Sequence, residues 1–370
     1  MATTSKNRPY IESHSALRGI AALIVLLDHL RAFQYLPQDG FLGGVFRVFA
    51  WNGPAVFLFF ILSGFVMSYV YPNPVRWHHF FVARLARLVP VYEVTLIIFL
   101  ALLFYSHSAG PDISPLNVIA NVLMMQQWCP IPGLSSINFP SWSLSVEAFL
   151  YVFAFPALIW TRSLPWRNGF YVVLIVVGAS WESLFYDIHW PTAANAWFLP
   201  LTTGLAGFGL GFSLHSLMEN GLQFPKRISV LAVALIAASL LWHMLLPSNY
   251  TRGFLTMGFT LLVVAGVDPE GLPSRVLANR FFLYLGDISY SLYLWHIVVL
   301  NVFVRVVMHV MARSHVVATI FSTNAAICVG IIATAFAAAT LSYTKLEVPF
   351  RRLIRDRFVR PKPGLHQAAG

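Results

Sequence analysis

The chain has 370 residues, of which 58% are hydrophobic and only 10% charged, with a formal charge of +10 and a mean hydropathy of +0.70. A soluble domain carries about a quarter charged residues, so a water-coated globule of this size is excluded. Two cysteines, Cys129 and Cys328, exclude a disulfide framework or a thiolate metal site, and no metal is expected.

The expected fold is all-α, a polytopic transmembrane bundle of about ten helices. Continuous apolar blocks argue for helices, because barrel strands would alternate every second residue. Met1–Ser15 is polar and lacks a signal-peptide cleavage pattern, so residues 1–15 read as a cytoplasmic N-terminal segment. Stretches near 20 residues match the hydrocarbon thickness of a bilayer. They fall at 16–36, 53–71, 88–106, 141–160, 169–186, 196–218, 228–246, 253–268, 282–308 and 316–342. Pro115–Gln127 is apolar but short and reads as an interfacial or re-entrant helix in a long loop. The membrane domain is expected over 16–345, and a basic cytoplasmic tail, partly disordered, over 346–370.

Ten spans put both termini on one side, and most of the 24 lysines and arginines fall there, including Arg84, Arg87, Arg162, Lys226, Arg275 and the run Arg351–Lys362. The positive-inside rule makes that side cytoplasmic. The positive charge is thus topological, and no nucleic-acid partner is expected. In the sixth span Gly207 and Gly211 form a small-xxx-small step that suits close helix packing.

Ionisable residues inside a span are costly and mark candidate sites. Arg18 and His29 lie eleven residues apart in the first span, about three turns plus roughly 20°, so they share a face about 16 Å apart. A snorkelling Arg18 and a satisfied interfacial His29 are the bland alternative. Arg84 and Arg87, spaced i,i+3, suit a phosphate or an ordinary pair of anchors. Glu147 enters the fourth span within Pro140-Ser-Trp-Ser-Leu-Ser-Val-Glu147, at a depth matching His29, where carboxylate and imidazole suit a base and its orienting group. Trp142, Ser143 and Ser145 in that motif are substrate-site candidates, although both serines suit backbone bonding better than a nucleophile role. Tyr290, Tyr293 and His296 recur every three residues along the ninth span and are either site-lining or structural.

Together these motifs resemble the membrane acyltransferase-3 family. The resemblance runs from Leu17-Arg-Gly-Ile-Ala-Ala-Leu and His29 through Phe60-Ile-Leu-Ser-Gly-Phe65, Arg84-x-x-Arg87, the Pro140–Glu147 motif and Tyr290-Ser-Leu-Tyr-Leu-Trp-His296 to Glu347-x-Pro-x-Arg351. It implies a bacterial inner-membrane enzyme that transfers acetyl or another short acyl group to a hydroxyl of a sugar or similar acceptor. His29 corresponds to the family's catalytic histidine, and Arg18, Arg84 and Arg87 to arginines that assist the acyl donor. One departure is Ser15, where the family often has an acidic residue.

The expected mechanism joins both lines. No permanently bound cofactor is expected, and acyl-coenzyme A, in all expectation acetyl-CoA, serves as the donor substrate. Arg84 and Arg87 would hold its phosphates, with Arg18 deeper and the thioester at His29, while Glu147 holds the imidazole tautomer. The bilayer is the other partner. The acceptor would arrive from the outer side, past the loop carrying Trp128. A transporter or flippase of a lipid-linked saccharide is the alternative reading.

Overall fold

Long apolar stretches without alternation can satisfy their backbone within a bilayer only as helices. In the computed structural model every regular element among the described residues is a helix. Those residues are 10–37, 43, 52–71, 74–106, 111–129, 131, 133–184, 198–245, 250–314 and 324–358. Residues 1–9 of the expected N-terminal segment, and the tail beyond 358, lie outside them.

In chain order the helices are α1 (Glu12–Ala32), α2 (Asn52–Val70), α3 (Trp77–Ser106), α4 (Pro115–Val122), α5 (Phe139–Thr161), α6 (Arg167–Leu184), α7 (Phe198–Glu219), α8 (Ile228–Leu245), α9 (Tyr250–Ala265), α10 (Leu272–Leu277), α11 (Arg280–Met311) and α12 (Asn324–Phe358). Six of them, α2, α3, α5, α8, α11 and α12, are long and apolar enough to cross a membrane. Thr251–Ala265 of α9 is apolar but shorter. The chain is a multi-pass helical membrane protein.

The first expected span shifts to Glu12–Ala32, so residues 12–15 of the expected N-terminal segment are helical, and two other edges move further. The third expected span begins eleven residues early, at Trp77, which brings Arg84 and Arg87 inside the helix rather than at its start. The last continues past 342 to Phe358, so residues 346–358 of the expected tail are helical. Hydropathy ends with the apolar run, whereas the amphipathic Val348–Phe358 stays helical against α3.

Close packing comes from glycine. With no hydrophobic drive between helices in lipid, van der Waals contact decides association, and small residues let backbones approach. A Cβ on Gly19 of α1 would sit 2.5 Å from the Gly286 backbone nitrogen of α11, and one on Gly286 would sit 2.5 Å from the Ser15 carbonyl oxygen. The Gly207/Gly211 step works in the same way: Gly211 meets the Ile61 carbonyl and Gly64 the Phe208 carbonyl, so α2 and α7 run antiparallel. Arg162 then closes the end of α2, donating to the Ser68 oxygen at 3.1 Å, the Tyr71 oxygen at 3.2 Å and Ser68 Oγ at 2.6 Å. The first two are carbonyls that a helix C-terminus leaves without intrahelical donors.

Two helices widen to π geometry, α5 over Leu150–Ala154 and α12 over Tyr343–Glu347. Pro156 and Pro349 follow each segment by two residues. A proline ring clashes with the carbonyl four residues back, here Val152 and Lys345, and each lies inside its π segment. The wider turn relieves the clash, and Tyr151 and Glu347, within the two segments, are buried.

Candidate active site

Helix α1 carries His29 at 7% exposure. Its Nδ1 lies 2.8 Å from the Val25 carbonyl one turn earlier. A carbonyl only accepts, so Nδ1 carries the proton and Nε2 keeps a lone pair. That Nε2 is buried and has no hydrogen-bond partner among the described residues. Two rings stand against the imidazole: His296 at 5.0 Å and Phe139, edge-on, at 5.7 Å between centroids.

A cavity is bounded by α1, α2, α3, α5 and α11, and neither histidine is among the residues that line it. Arg18, Arg87, Ser143, Glu147, Tyr290 and Tyr293 all line it. Six expected site residues, far apart in sequence, therefore share one space. The Tyr293 ring connects that space to the histidines, lying 5.9 Å from His296, while its hydroxyl stands 2.7 Å from Ser143 Oγ and donates to the Pro140 carbonyl at 3.0 Å. Tyr290 donates to the Leu88 carbonyl at 2.5 Å, fastening α11 to α3 one residue beyond Arg87.

The expected pairing of Glu147 with His29 is not formed. Glu147 Oε1 accepts from Tyr151 Oη and, at 3.4 Å, from Ser63 Oγ. Val25 reaches Nδ1 without any side chain being needed, because an i−4 carbonyl is always close at hand in a helix. Arg84 differs from Arg87 as well. Its guanidinium lies over the Tyr71 and Tyr151 rings, at 5.8 and 5.7 Å, and one nitrogen donates to Tyr71 Oη at 3.4 Å.

Other candidates separate by environment. Ser145 Oγ donates to the Met124 carbonyl at 2.8 Å and accepts from Gln127 N at 3.1 Å, a structural role. Trp142 packs on Phe60, with ring centroids 6.3 Å apart. Trp128, expected near the acceptor, donates to the Ser145 carbonyl and stacks edge-on against Phe149 and Phe153. The expected short helix is present as α4, tied down by Asn117 and Asn121 to the backbone of Ser135 and Ile137. Ser15, at the family's acidic position, is buried against Gly286, where a longer side chain would meet backbone.

The residues that sequence reasoning passed over are Ser63, Tyr151, Ser289 and Phe139. The first three line the cavity. Tyr151 was recoverable, since it stands four residues after Glu147 on the same helix face. Phe139 carried no such signal. Glu347 is 2% exposed and accepts from Ser291 Oγ at 2.9 Å, with Arg351 at 3.5 Å. Among the described residues no group of three or more His, Cys, Asp or Glu is placed to hold a metal.

A profile described as an acyltransferase domain matches residues 11–343, nearly the whole chain. The chain belongs to the acyltransferase-3 family. It is 25% identical to the acyltransferase MdmB of Streptomyces mycarofaciens over 371 residues, covering 94% of this chain and 93% of that protein. It is 24% identical to the peptidoglycan O-acetyltransferase OatA of Listeria monocytogenes over 392 residues, covering 95% of this chain but 57% of that protein. No solved structure matches. Family membership makes the chain a membrane O-acyltransferase and sets the transporter alternative aside.

Proposed function

We propose that the enzyme transfers an acetyl or other short acyl group from cytoplasmic acyl-coenzyme A to a hydroxyl of a carbohydrate-type acceptor, with His29 as general base. It spans a bacterial inner membrane about ten times with both termini in the cytoplasm. The observation that carries this reading is the His29 imidazole, whose Nδ1–H is held by the Val25 carbonyl while Nε2 is buried without a partner among the described residues. Arg18 and Arg87, cationic groups that line the cavity whose Tyr293 stands against His296, are suited to the donor's phosphates.

In the reaction His29 Nε2 takes the proton of the acceptor hydroxyl. The oxygen attacks the thioester carbonyl, a C–O bond forms, the C–S bond breaks, and the coenzyme A thiolate takes the proton back from the imidazolium. Radiolabelled acyl-coenzyme A supplied to membranes containing the full chain tests this. His29→Ala is expected to lower label transfer by about 10²–10⁴, the usual contribution of a positioned base. Full transfer by that variant at equal membrane content would sink the assignment.

A further inference from the structure

The acceptor must reach His29 Nε2 from a direction that the bundle leaves open. His29 and His296 are 7% and 1% exposed, whereas Phe139, edge-on to His29, is 49% exposed. Phe139 is also held in place. It begins the 3-10 turn Phe139–Ser141, and Asn138 before it donates to the Leu294 carbonyl of α11 at 3.2 Å. Pro140 after it accepts from Tyr293 Oη and from Ser143 Oγ. Behind the turn, Ile137 N donates to Asn121 Oδ1. An aromatic ring at the protein's surface on a fastened turn, edge-on to an imidazole whose Nε2 has no partner among the described residues, has the form of a stacking surface.

We propose that Phe139 is the platform for the acceptor, and that it favours hydroxyls carried on a ring with an apolar C–H face, such as a pyranoside. The ring face rests on Phe139 while one hydroxyl points at Nε2. Such a contact acts by orientation: it holds the hydroxyl within hydrogen-bond reach of the base and supplies little to the chemistry itself. Trp128 does not serve here, because its indole is committed to Ser145, Phe149 and Phe153. This proposal rests on the reading of His29 as base towards an acyl-coenzyme A donor.

The test uses the full chain in nanodiscs with radiolabelled acetyl-coenzyme A and two probe acceptors. Methyl β-D-glucopyranoside offers a ring face; sorbitol offers hydroxyls without one. The wild type is expected to acylate the pyranoside in preference to sorbitol. Phe139→Ala and Phe139→Leu are expected to raise KM for the pyranoside by about 3- to 10-fold, with a smaller change for sorbitol, and Phe139→Trp to restore it. The leucine variant keeps apolar bulk, so a rise in KM there reflects the missing ring. An unchanged pyranoside KM in both variants overturns the proposal, as does a wild type that shows no preference for the ring. A wild type that consumes no acetyl-coenzyme A under any condition overturns instead the donor reading beneath it.

Discussion

His29 of α1 and His296 of α11 face each other with ring centroids 5.0 Å apart, and the same register brings Gly19 against Gly286. Ten residues separate glycine from histidine on both helices, so the two run parallel and in step. At about 1.5 Å per residue, the glycine crossing lies roughly 15 Å from the histidines along the axis. The contact that sets the histidine pair is therefore remote from it.

This makes Gly286 a sensitive position. A methyl group there would be 2.5 Å from the Ser15 oxygen, and overpacking of a close contact costs about 1–3 kcal/mol. Gly286→Ala is expected to lower the melting temperature in detergent and to reduce acyl transfer. Gly169→Ala is the control: nothing lies within 4 Å of a Cβ there, and alanine is the better helix former. Equal behaviour of the two variants would show that the α1–α11 crossing does not govern the site.

Glu147 and Val25 divide roles that one residue was expected to hold. Because the Val25 carbonyl holds Nδ1–H, Glu147→Gln is expected to leave the pH profile of kcat unchanged while raising KM for the acyl donor. A shifted pH profile with an unchanged donor KM would mean that Glu147 acts on the base after all. Tyr151→Phe removes a hydrogen bond to a carboxylate at the cavity wall and should cost about 1–3 kcal/mol of stability.

Arg87 and Arg84 are three residues apart but differ in surroundings. Arg87→Ala removes a cation lining the cavity and is expected to raise donor KM about tenfold or more, or at least 1.4 kcal/mol. Arg84→Lys keeps the charge yet loses planar stacking on Tyr71 and Tyr151, so its expected effect is on thermal stability first. Steady-state kinetics and a melting curve on each variant decide the matter. A larger donor effect at Arg84 than at Arg87 would reverse the assignment.

The two serines before Glu147 should also separate. Ser145→Ala breaks bonds to Met124 and Gln127 that fasten the loop before α5, with an expected cost of about 1–2 kcal/mol and no change in substrate KM. Ser143→Ala touches the cavity wall through Tyr293, and its effect is expected in acceptor KM. Kinetics showing the opposite pattern would place Ser145 in the site.

Much of this was legible along the chain. Arg18 and His29 share a face because helical geometry alone requires it, the cost of burying Glu147 or His296 in an apolar run marked each as a candidate, and i,i+3 spacing marked Arg84 and Arg87. Periodicity was also enough for Gly207 and Gly211, since close approach needs only small residues at i,i+4. The limits are equally physical. Hydropathy reports where apolar runs stop, whereas α3 and α12 continue through Arg84, Arg87 and Arg351 because helicity persists beyond the apolar window.

By itself the sequence determined a helical membrane protein, a set of candidate residues of which six line one cavity, and the family to which the motifs belong, because each rests on local composition or spacing. Only the tertiary structure decided which partner each polar group takes. Val25 rather than Glu147 holds His29, Tyr151 and Ser63 hold Glu147, and Phe139 rather than Trp128 stands at the imidazole. Away from water a polar side chain gains most from a protein partner. Which partner it finds depends on how glycine crossings and π turns bring distant helices together, and no local spacing records that.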